Sequence, residues 1–441
     1  MESNKTLRYR WLIFGILLAA YFLVYFQRNL PGTIDTLIVD DVGGIATLWA
    51  AIYFYVYASL QLPVGLTVDR IGPKKILSVA LLVITLGTFI ISLAQTGTVL
   101  YLGKIVMSCG MACIYVPLTK IIVAWFAKKD FAKMNGYVIA TGNFAGIIAT
   151  APAFMAIESI GWRGFFVMFG IISAVLAMLC ISFVRNRPRD IGAPEIYEIY
   201  PEEKEAHGVF ENIPPKDGIM TVLKGGRAFW MPALSYFFIF GAMMLFQGRW
   251  GSTFFRNTTI YHFDVFGLTA ALTATLLIMF LAIGKMTSTA IAPAIADKVG
   301  SKRKTVLTAN LGFLTVWGVI WLLAGEMDTA FWFWAGICFT FGFCSGFMSL
   351  GFAQAKAWFS AAISGTVIAL FNTMVFLGGG ILQTISIFVI PEKGAVLGDF
   401  TAMWGIAFLW VAAACILTYL SIDNKTGTVK KIRNADRGGT S

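Results

Sequence analysis

Long apolar segments separated by short polar loops occupy almost the whole chain. Such a segment needs about 20 residues to cross the roughly 30 Å hydrocarbon core of a bilayer. Six lie in the first part of the chain, at about 11–37, 47–66, 76–96, 99–124, 136–158 and 163–184. Six more lie at about 229–252, 268–294, 305–325, 329–353, 364–390 and 400–422. This pattern predicts an all-α integral membrane protein with twelve transmembrane helices.

The composition supports this prediction. Of the 441 residues, 58% are hydrophobic and 13% are charged, a balance that soluble domains of this length do not sustain. The formal net charge is +11, but Lys and Arg form short clusters between apolar segments, so nucleic acid is not expected as a partner. The six cysteines lie in apolar segments without a CxxC motif, so no metal, disulfide or cofactor is expected.

The basic residues of the short loops predict the orientation in the membrane. If both termini are cytoplasmic, the other side keeps only Arg163, Arg256 and Lys393 among its loop cations. The positive-inside rule therefore places both termini in the cytoplasm of a multi-pass protein of the plasma (inner) membrane. The first span lacks a small-residue cleavage site, so we expect it to be retained. The expected divisions are an N-terminal bundle at 1–184, a flexible cytoplasmic linker at 185–227, a C-terminal bundle at 228–424 and a cytoplasmic tail at 425–441.

The two halves contain an internal repeat. The loop after the second span carries Asp69 and Gly72 before a basic pair, and the loop after the eighth span carries Asp297 and Gly300 in the same arrangement. Spans 5 and 11 also share a motif, in which Gly136 and Asn143 correspond to Gly365 and Asn372. Such a duplication predicts two pseudo-symmetric six-helix bundles.

The first of these loops resembles the signature of a known family. Gly65, Asp69, Arg70, Gly72, Lys74 and Lys75 match the pattern G-x-x-x-D-R-x-G-x-K-K of the major facilitator superfamily, and GWRG at Gly161–Gly164 is similar to its signature between spans 5 and 6. The resemblance implies the major facilitator fold and a functional monomer. It also implies a cytoplasmic gate that includes Asp69, Arg70 and Asp297. The alternative is that these charges only fix the topology.

Five cations lie inside predicted spans, and no Asp or Glu lies deep in any of them. An ionisable group at mid-membrane costs roughly 2.5–3.5 kcal/mol on insertion scales, so such a group is by default a functional hypothesis. Because unpaired buried cations need an anion to neutralise them, the excess predicts a small anionic substrate. For the two lysines of span 4, snorkelling to the membrane surface is the competing interpretation. The five are Arg28, Lys104, Lys120, Arg249 and Lys285.

Arg28 has the most specific surroundings. Tyr21, Tyr25 and Arg28 share one helix face at i, i+4 and i+7. The arrangement resembles the first span of organophosphate:phosphate antiporters, where the resemblance implies that the arginine binds substrate phosphate, and related anion:cation symporters also keep an arginine here. Those symporters carry acidic residues where this sequence has Gln27 and Ala112, so the resemblance does not extend to a proton-coupling carboxylate. Snorkelling of Arg28 is the alternative interpretation.

A second anion-binding arginine is expected in span 7. The antiporters carry theirs about a turn before Arg249, and Arg256 on the same face is the alternative to Arg249. Guanidinium groups from both halves would hold an oxyanion by charge-assisted hydrogen bonds. Lys285, about 18 Å along its helix from the loop at Asp297, is interpreted as a third cation of the cavity. Polar residues of the presumed cavity helices complete the predicted site: Tyr53, Tyr57, Gln61, Asn143, Gln247 and Asn372.

The sequence therefore predicts a secondary active transporter that moves a small organic anion by alternating access. The anion would be a carboxylate, sugar acid, organophosphate or sulfonate, carried in symport with H⁺ or Na⁺ or in exchange for another anion. The alternatives are an exporter of drug-like or siderophore-like compounds and a transporter-like ligand sensor. An enzyme is not expected, because the two histidines, His207 and His262, lie in loops and no deep carboxylate accompanies them.

Overall fold

The structure, a computed structural model, describes residues 2–200, 215–257, 267–324, 331–359 and 363–423. These residues form helices and connecting loops, with no strand in the described ranges. They divide into two compact units, Met1–Asn212 and Ile213–Ser441. Eleven of the described helices are long and apolar enough to cross a membrane. The prediction of an all-α membrane protein is therefore confirmed.

The first unit contains eight long helical segments and a short helix. The long ones are α1 (Glu2–Asn29), α2 (Pro31–Val42), α3 (Ala46–Ile71), α4 (Pro73–Ser92), α5 (Gly97–Ala112), α6 (Tyr115–Trp125), α7 (Lys128–Ile148) and α8 (Ala151–Phe183). A 3₁₀ turn at Pro188–Ile191 and the short α9 (Ile196–Ile199) follow within the predicted linker. The rest of the linker at 201–214, which includes His207, lies outside the described residues.

The second unit contains the helices that correspond to spans 7 to 12. They are α10 (Pro215–Leu223), α11 (Gly226–Leu245), a π-helical turn (Phe246–Trp250), α12 (Gly251–Arg256), α13 (Ala270–Val299), α14 (Lys302–Leu323), α15 (Phe331–Gly346), a 3₁₀ turn (Phe347–Leu350), α16 (Gly351–Lys356), α17 (Ser364–Ser386) and α18 (Leu397–Leu420). His262 and the predicted tail at 425–441 lie outside the described residues. The predicted domain boundaries and the cytoplasmic placement of the termini stay predictions.

Each predicted apolar segment contains helix, but the predicted fifth span also contains a break, because α7 ends at Ile148 and α8 begins at Ala151. The predicted fifth span at 136–158 is therefore shared between α7 and the start of α8. A second break comes within α8 at Gly161, whose φ is +72°, and it separates the predicted spans 5 and 6 as expected. Glycine adopts this conformation without the Cβ clash that other residues suffer. The apolar run of α7 is interrupted by Lys133, Asn135 and Asn143, and this helix is the predicted span that is not among the eleven.

Both copies of the repeated loop motif end their helix with the same residue type. Gly72 follows α3 with φ of +96°, and Gly300 follows α13 with φ of +68°. Each glycine N–H also donates to a carbonyl four residues back, at Val68 and Ala296 respectively, which satisfies one of the free carbonyls at a helix end. The repeat is thus reproduced in the positive φ of its glycine, although ψ differs, at 144° for Gly72 and 13° for Gly300. Arg70 and Asp297 are exposed, the side chain of Asp69 lies outside the description, and the gating role of the three stays a prediction.

Close helix packing in the second unit depends on glycine. A Cβ added at Gly342 of α15 would lie 1.9 Å from the carbonyl oxygen of Leu281, and one at Gly284 of α13 would lie 2.1 Å from that of Phe339. Small residues let helix backbones approach in this way within membranes. The contact holds the backbone of Lys285 directly against α15, since its amide nitrogen is 2.9 Å from the same added Cβ of Gly342.

Side chains of the GWRG segment in α8 form hydrogen bonds to α2. The Asp41 carboxylate accepts hydrogen bonds from the Trp162 indole at 3.0 Å and from the Arg163 guanidinium. Arg163 also donates to the carbonyl of Ala94 at 2.9 Å. The Arg163 hydrogen bond, followed by that of Trp162, lowers the pKa of Asp41 below its usual value of 3.8. The contact fixes the end of the first membrane segment against the sixth.

We expect Asp41→Asn to lower the thermal unfolding temperature by a few degrees at most, because exposed ion pairs contribute little. Since folding lowers the pKa of Asp41, the stabilisation is present above the usual pKa and is lost as the pH falls through the lowered one. The difference between wild type and variant should therefore be constant at neutral pH and shrink below about pH 4. Thermal unfolding of both proteins across this range measures it, and a difference that grows on acidification would contradict the assignment.

Candidate anion-binding residues in each unit

Arg28 is buried near the end of α1. Its residue is 7% exposed, and its guanidinium carbon lies 3.8 Å from the ring centroid of Tyr25, within cation–π distance. The Nε atom has no hydrogen-bond partner, and the ion pairs of the described residues do not include Arg28. Arg28 therefore does not snorkel to the protein surface. It is a buried cation, and within the described part of the chain it is surrounded by aromatic rings instead of carboxylates.

A cluster of tyrosines lies beside Arg28. The ring centroids of Tyr21 and Tyr25 are 4.7 Å apart, and Tyr21 and Tyr115 are 5.6 Å apart. Tyr53 and Tyr57 of α3 form a second pair at 5.4 Å, and Tyr53 interacts electrostatically with Arg28. Tyrosines can bury apolar surface while presenting hydroxyls to an oxyanion. The structure thus brings together Tyr21, Tyr25 and Arg28 as predicted, and adds Tyr115, which the sequence did not indicate because it lies on α6.

Two further residues of the first membrane segment, Gln27 and Asp35, are buried. Gln27, noted only as a departure from the symporter pattern, is 1% exposed, and neither polar atom of its amide has a hydrogen-bond partner in the described structure. Buried amides without partners are rare in folded proteins, so Gln27 joins Arg28 as a group that a ligand could satisfy. Asp35 in α2 is also buried. Gln61 is buried and Asn143 half-buried.

Gly142 of α7 gives the tyrosines their space. A Cβ at this position would lie 2.9 Å from Cε1 of Tyr21 and 3.1 Å from Cδ1 of Tyr25. These distances are shorter than ordinary carbon–carbon contacts, so a side chain here would displace at least one ring. The sequence contained a weak signal for this role, since Gly142 immediately precedes the predicted site residue Asn143.

We expect Gly142→Val to raise the KM for anion uptake about tenfold or more, because it displaces the rings that position Arg28. Gly136→Val is the matched control. It lies on the same helix, and a Cβ there would meet no atom within 4 Å. Both changes add the same β-branched side chain to a helix, so their intrinsic helical effects are similar. Equal KM values in the two variants would show that the tyrosines do not contribute to binding.

Lys104 contradicts the interpretation of a snorkelling lysine. Its residue is fully buried in α5, and its Nζ lies 4.5 Å from the ring centroid of Trp49. Nζ has no hydrogen-bond partner among the described residues. The hydroxyl of Ser108, one turn further along α5, and the indole Nε1 of Trp49 are also buried without a partner. Lys120, by contrast, is half-buried, so only the first of the two span 4 lysines is enclosed by protein.

Arg249 lies in the π-helical turn Phe246–Trp250 of the second unit. The turn is closed by a hydrogen bond from the N–H of Gly251 to the carbonyl of Phe246, and a π turn of this kind often marks a functional position. Arg249 is fully buried, and its guanidinium carbon lies 3.8 Å from the ring centroid of Trp250. The indole of Trp250 in turn donates to Ser386 of α17 at 2.7 Å. The side chain is therefore held on rigid elements.

The sequence predicts Arg249 to be an unpaired cation, and this prediction is wrong: Arg249 forms an ion pair with Glu392. Its Nη2 donates to Oε2 of Glu392 at 2.6 Å, and its Nη1 donates to the hydroxyl of Thr253 at 3.2 Å. Glu392 lies in the loop between α17 and α18, 143 residues further along the chain. This pairing could not be predicted from the sequence, because a loop glutamate beside Pro391 and Lys393 has the composition of an ordinary surface turn.

The remaining predicted residues of the second unit lie on separate helices. Gln247 and Asn372 are buried, and Lys285 and Arg256 are half-buried. Lys285, Asn372 and Arg256 each have at least one interaction partner. Their part in substrate binding stays a prediction, as does that of Tyr57, Gln61 and Asn143 in the first unit. Among the described residues, no group of three or more His, Cys, Asp or Glu side chains could hold a metal ion.

The chain is similar to several known proteins. The sequence model of the family described as Major Facilitator Superfamily matches residues 17–383. A probable hexose phosphate transport protein of Chlamydia pneumoniae is 20% identical over 446 residues, which cover 96% of this chain and 93% of that protein. A probable sulfoacetate transporter of Cupriavidus necator is 24% identical over 203 residues, which cover 44% of this chain and about half, 47%, of that protein. The solved structure of a D-xylose-proton symporter has a TM-score of 0.69 at 13% identity and covers 94% of this chain and 98% of that one.

Proposed function

The chain belongs to the Major Facilitator Superfamily, and we propose from this premise that it is a secondary transporter that moves a small organic anion by alternating access. The observation that carries the proposal is Arg28, a buried guanidinium whose neighbours are tyrosines. A buried charge without a counter-charge is strongly unfavourable. The substrate anion would supply that counter-charge each time it binds.

The chemistry around Arg28 supports an oxyanion as the ligand. A guanidinium presents several N–H donors in a planar fork that matches carboxylate, sulfonate and phosphate oxygens. Gln27 adds a buried amide, and the tyrosines add hydroxyl groups that can donate to the same ligand. We therefore propose that Arg28, Tyr21, Tyr25 and Gln27 contribute to binding, with Tyr57, Gln61 and Asn143 as further contacts of the first unit.

The names of the relatives support the proposed class of substrate but do not identify one compound within it. Their names include a hexose phosphate, sulfoacetate, L-galactonate and hexuronate, and each of these compounds combines a small carbon skeleton with one or more acidic groups. A phosphorylated metabolite, a sugar acid, another carboxylate or a sulfonate would satisfy the same guanidinium. We propose this class as the substrate of the present chain, with the plasma membrane as its location and both termini in the cytoplasm.

The coupling of transport follows from the same charges. If the site carries unpaired positive charge when empty, reorientation of the empty protein is unfavourable and exchange for another anion is favoured. The buried carboxylate of Asp35 is the candidate for proton coupling, since Gln27 cannot carry a proton at neutral pH. Asp69, Arg70 and Asp297 would form the gate, as the family resemblance implies.

Counterflow in proteoliposomes tests the proposal. Purified protein is reconstituted with a panel of phosphate esters, sulfonates, sugar acids and simple carboxylates inside the vesicles, and uptake of a labelled member is measured outside. We expect saturable exchange with at least one anion and none with neutral sugars. Failure with every anion, together with movement of a cationic or apolar drug, would instead support the exporter.

A further inference from the structure

We propose that Glu392 is an internal anion that occupies Arg249 in the substrate-free protein, and that an anionic group of the substrate displaces it during transport. The inference rests on the proposed function, because it assigns a ligand to Arg249 within that function. It concerns only groups of the second unit. It makes Glu392 a positioning residue that determines how strongly an incoming anion is bound.

The two partners of the ion pair differ in their access to water. The side chain of Arg249 is 0% exposed, whereas that of Glu392 is 20% exposed. When the pair separates, the carboxylate can therefore be hydrated by a small rotation, but the guanidinium stays in a dry environment. A buried guanidinium that loses its carboxylate is strongly destabilised. The pair consequently separates readily only when another anion takes the place of the carboxylate.

The location of Glu392 suits displacement. Arg249 and Thr253 lie on the seventh span, but Glu392 comes from a loop, and loops tolerate rearrangement better than packed helices. The loop is anchored on both sides of this residue. Trp250 holds Ser386 at its start, and the Asn257 amide donates to the carbonyl of Ala395 at 2.9 Å near its end. The Glu392 side chain can thus leave Arg249 while the loop backbone stays in place.

The geometry also leaves Arg249 able to bind a better ligand. Glu392 engages Nη2 through one oxygen, and a neutral hydroxyl engages Nη1. A carboxylate, sulfonate or phosphate that placed one oxygen on each nitrogen would form the paired, bidentate arrangement that arginine favours. Such a ligand would place a charge-assisted hydrogen bond on each of the two nitrogens. The substrate can therefore compete with a carboxylate that is already tethered nearby.

The inference is tested by removing the internal anion. In Glu392→Gln, we expect the KM for the transported anion to fall about tenfold, because the substrate no longer competes with a carboxylate. In Glu392→Ala, the space of the carboxylate is open, so formate, as a small stand-in, should raise the unfolding temperature far more than it does in wild type. Lys393→Gln is the control for a change of charge at the neighbouring position and should resemble wild type in both measurements.

The two measurements separate this inference from the proposed function. If wild type transports no anion of the panel, the proposed function fails, but the formate measurement still reports on the occupancy of Arg249. If formate stabilises Glu392→Ala no more than wild type, or if Glu392→Gln transports with an unchanged or higher KM, the ion pair is only structural and the inference is overturned. If Glu392→Ala does not fold, the same formate comparison is made with Glu392→Gln.

Discussion

Replacing Arg28 by glutamine is expected to reduce saturable anion uptake by about 30-fold or more. Truncating one partner of a buried charged hydrogen bond costs about 2–5 kcal/mol, and about 1.4 kcal/mol corresponds to a tenfold change. Glutamine keeps much of the side-chain length but removes the charge. Because no carboxylate of the described residues is ion-paired with Arg28, the substitution leaves no acidic group without a partner. The variant should therefore unfold at the same temperature as wild type or a higher one.

Two further variants make this result specific. Arg28→Lys keeps the charge but loses the planar fork, so its uptake should lie between those of wild type and Arg28→Gln. Lys120→Gln removes another cation of the first unit that is half-buried, and should have a small effect. Uptake is measured with a radiolabelled anion in proteoliposomes of equal protein content. Wild-type kinetics in Arg28→Gln would exclude Arg28 as the binding group, and a fall in its unfolding temperature would indicate a structural role.

The features that the sequence predicted correctly depend on short-range regularities. A run of about 20 apolar residues specifies a membrane helix wherever it occurs, and the loop motif at Asp69 and Asp297 is recognisable by spacing alone. The face shared by Tyr21, Tyr25 and Arg28 follows from helical geometry. In each case the residues that interact lie within a few turns of one another. Local sequence therefore carries the whole signal.

The features that the sequence missed depend on distant partners. Arg249 was interpreted as unpaired because Glu392 lies 143 residues away in a loop. Lys104 was interpreted as a snorkelling residue because it lies near the end of its span, whereas the structure encloses it beside Trp49 of another helix. Tyr115 belongs to another helix, α6, and is part of the site because its ring lies 5.6 Å from that of Tyr21. Burial and pairing are properties of the packed unit, and a single sequence does not report them.

The two buried arginines are consequently unlike each other, although the chain is an internal duplication. Arg28 is paired with aromatic rings, and Arg249 is paired with a carboxylate and an aromatic ring. Among the residues that the structure describes, the arginine of the first unit therefore has no carboxylate partner, whereas that of the second unit has one. This difference predicts that removal of Arg28 affects the initial binding of the anion most strongly. Changes at Glu392 should instead alter how strongly the substrate has to compete with this carboxylate for Arg249.

Lys104→Met is expected to stabilise the protein and impair transport at the same time. An ammonium without a partner inside a membrane span costs as much as roughly 2.5–3.5 kcal/mol, the value at the centre of the span. A cation–π contact such as that with Trp49 offsets about 0.5–2 kcal/mol of this cost. Methionine fills a similar volume without the charge. The unfolding temperature of the variant should thus rise by several degrees. Because an ionisable group enclosed within a membrane span is by default a functional one, uptake should fall about tenfold or more.

The outcome distinguishes three roles for Lys104, with Lys120→Met as the matched control. Lys120 is half-buried and can reach water, so its replacement should change neither stability nor uptake appreciably. A lower unfolding temperature for Lys104→Met would show that the contact with Trp49 is a structural element. A higher unfolding temperature with unchanged uptake would show that Lys104 destabilises the protein without contributing to transport. Only a gain in stability joined to a loss of uptake, measured by thermal unfolding and proteoliposome transport on the same preparation, assigns Lys104 to the transport cycle.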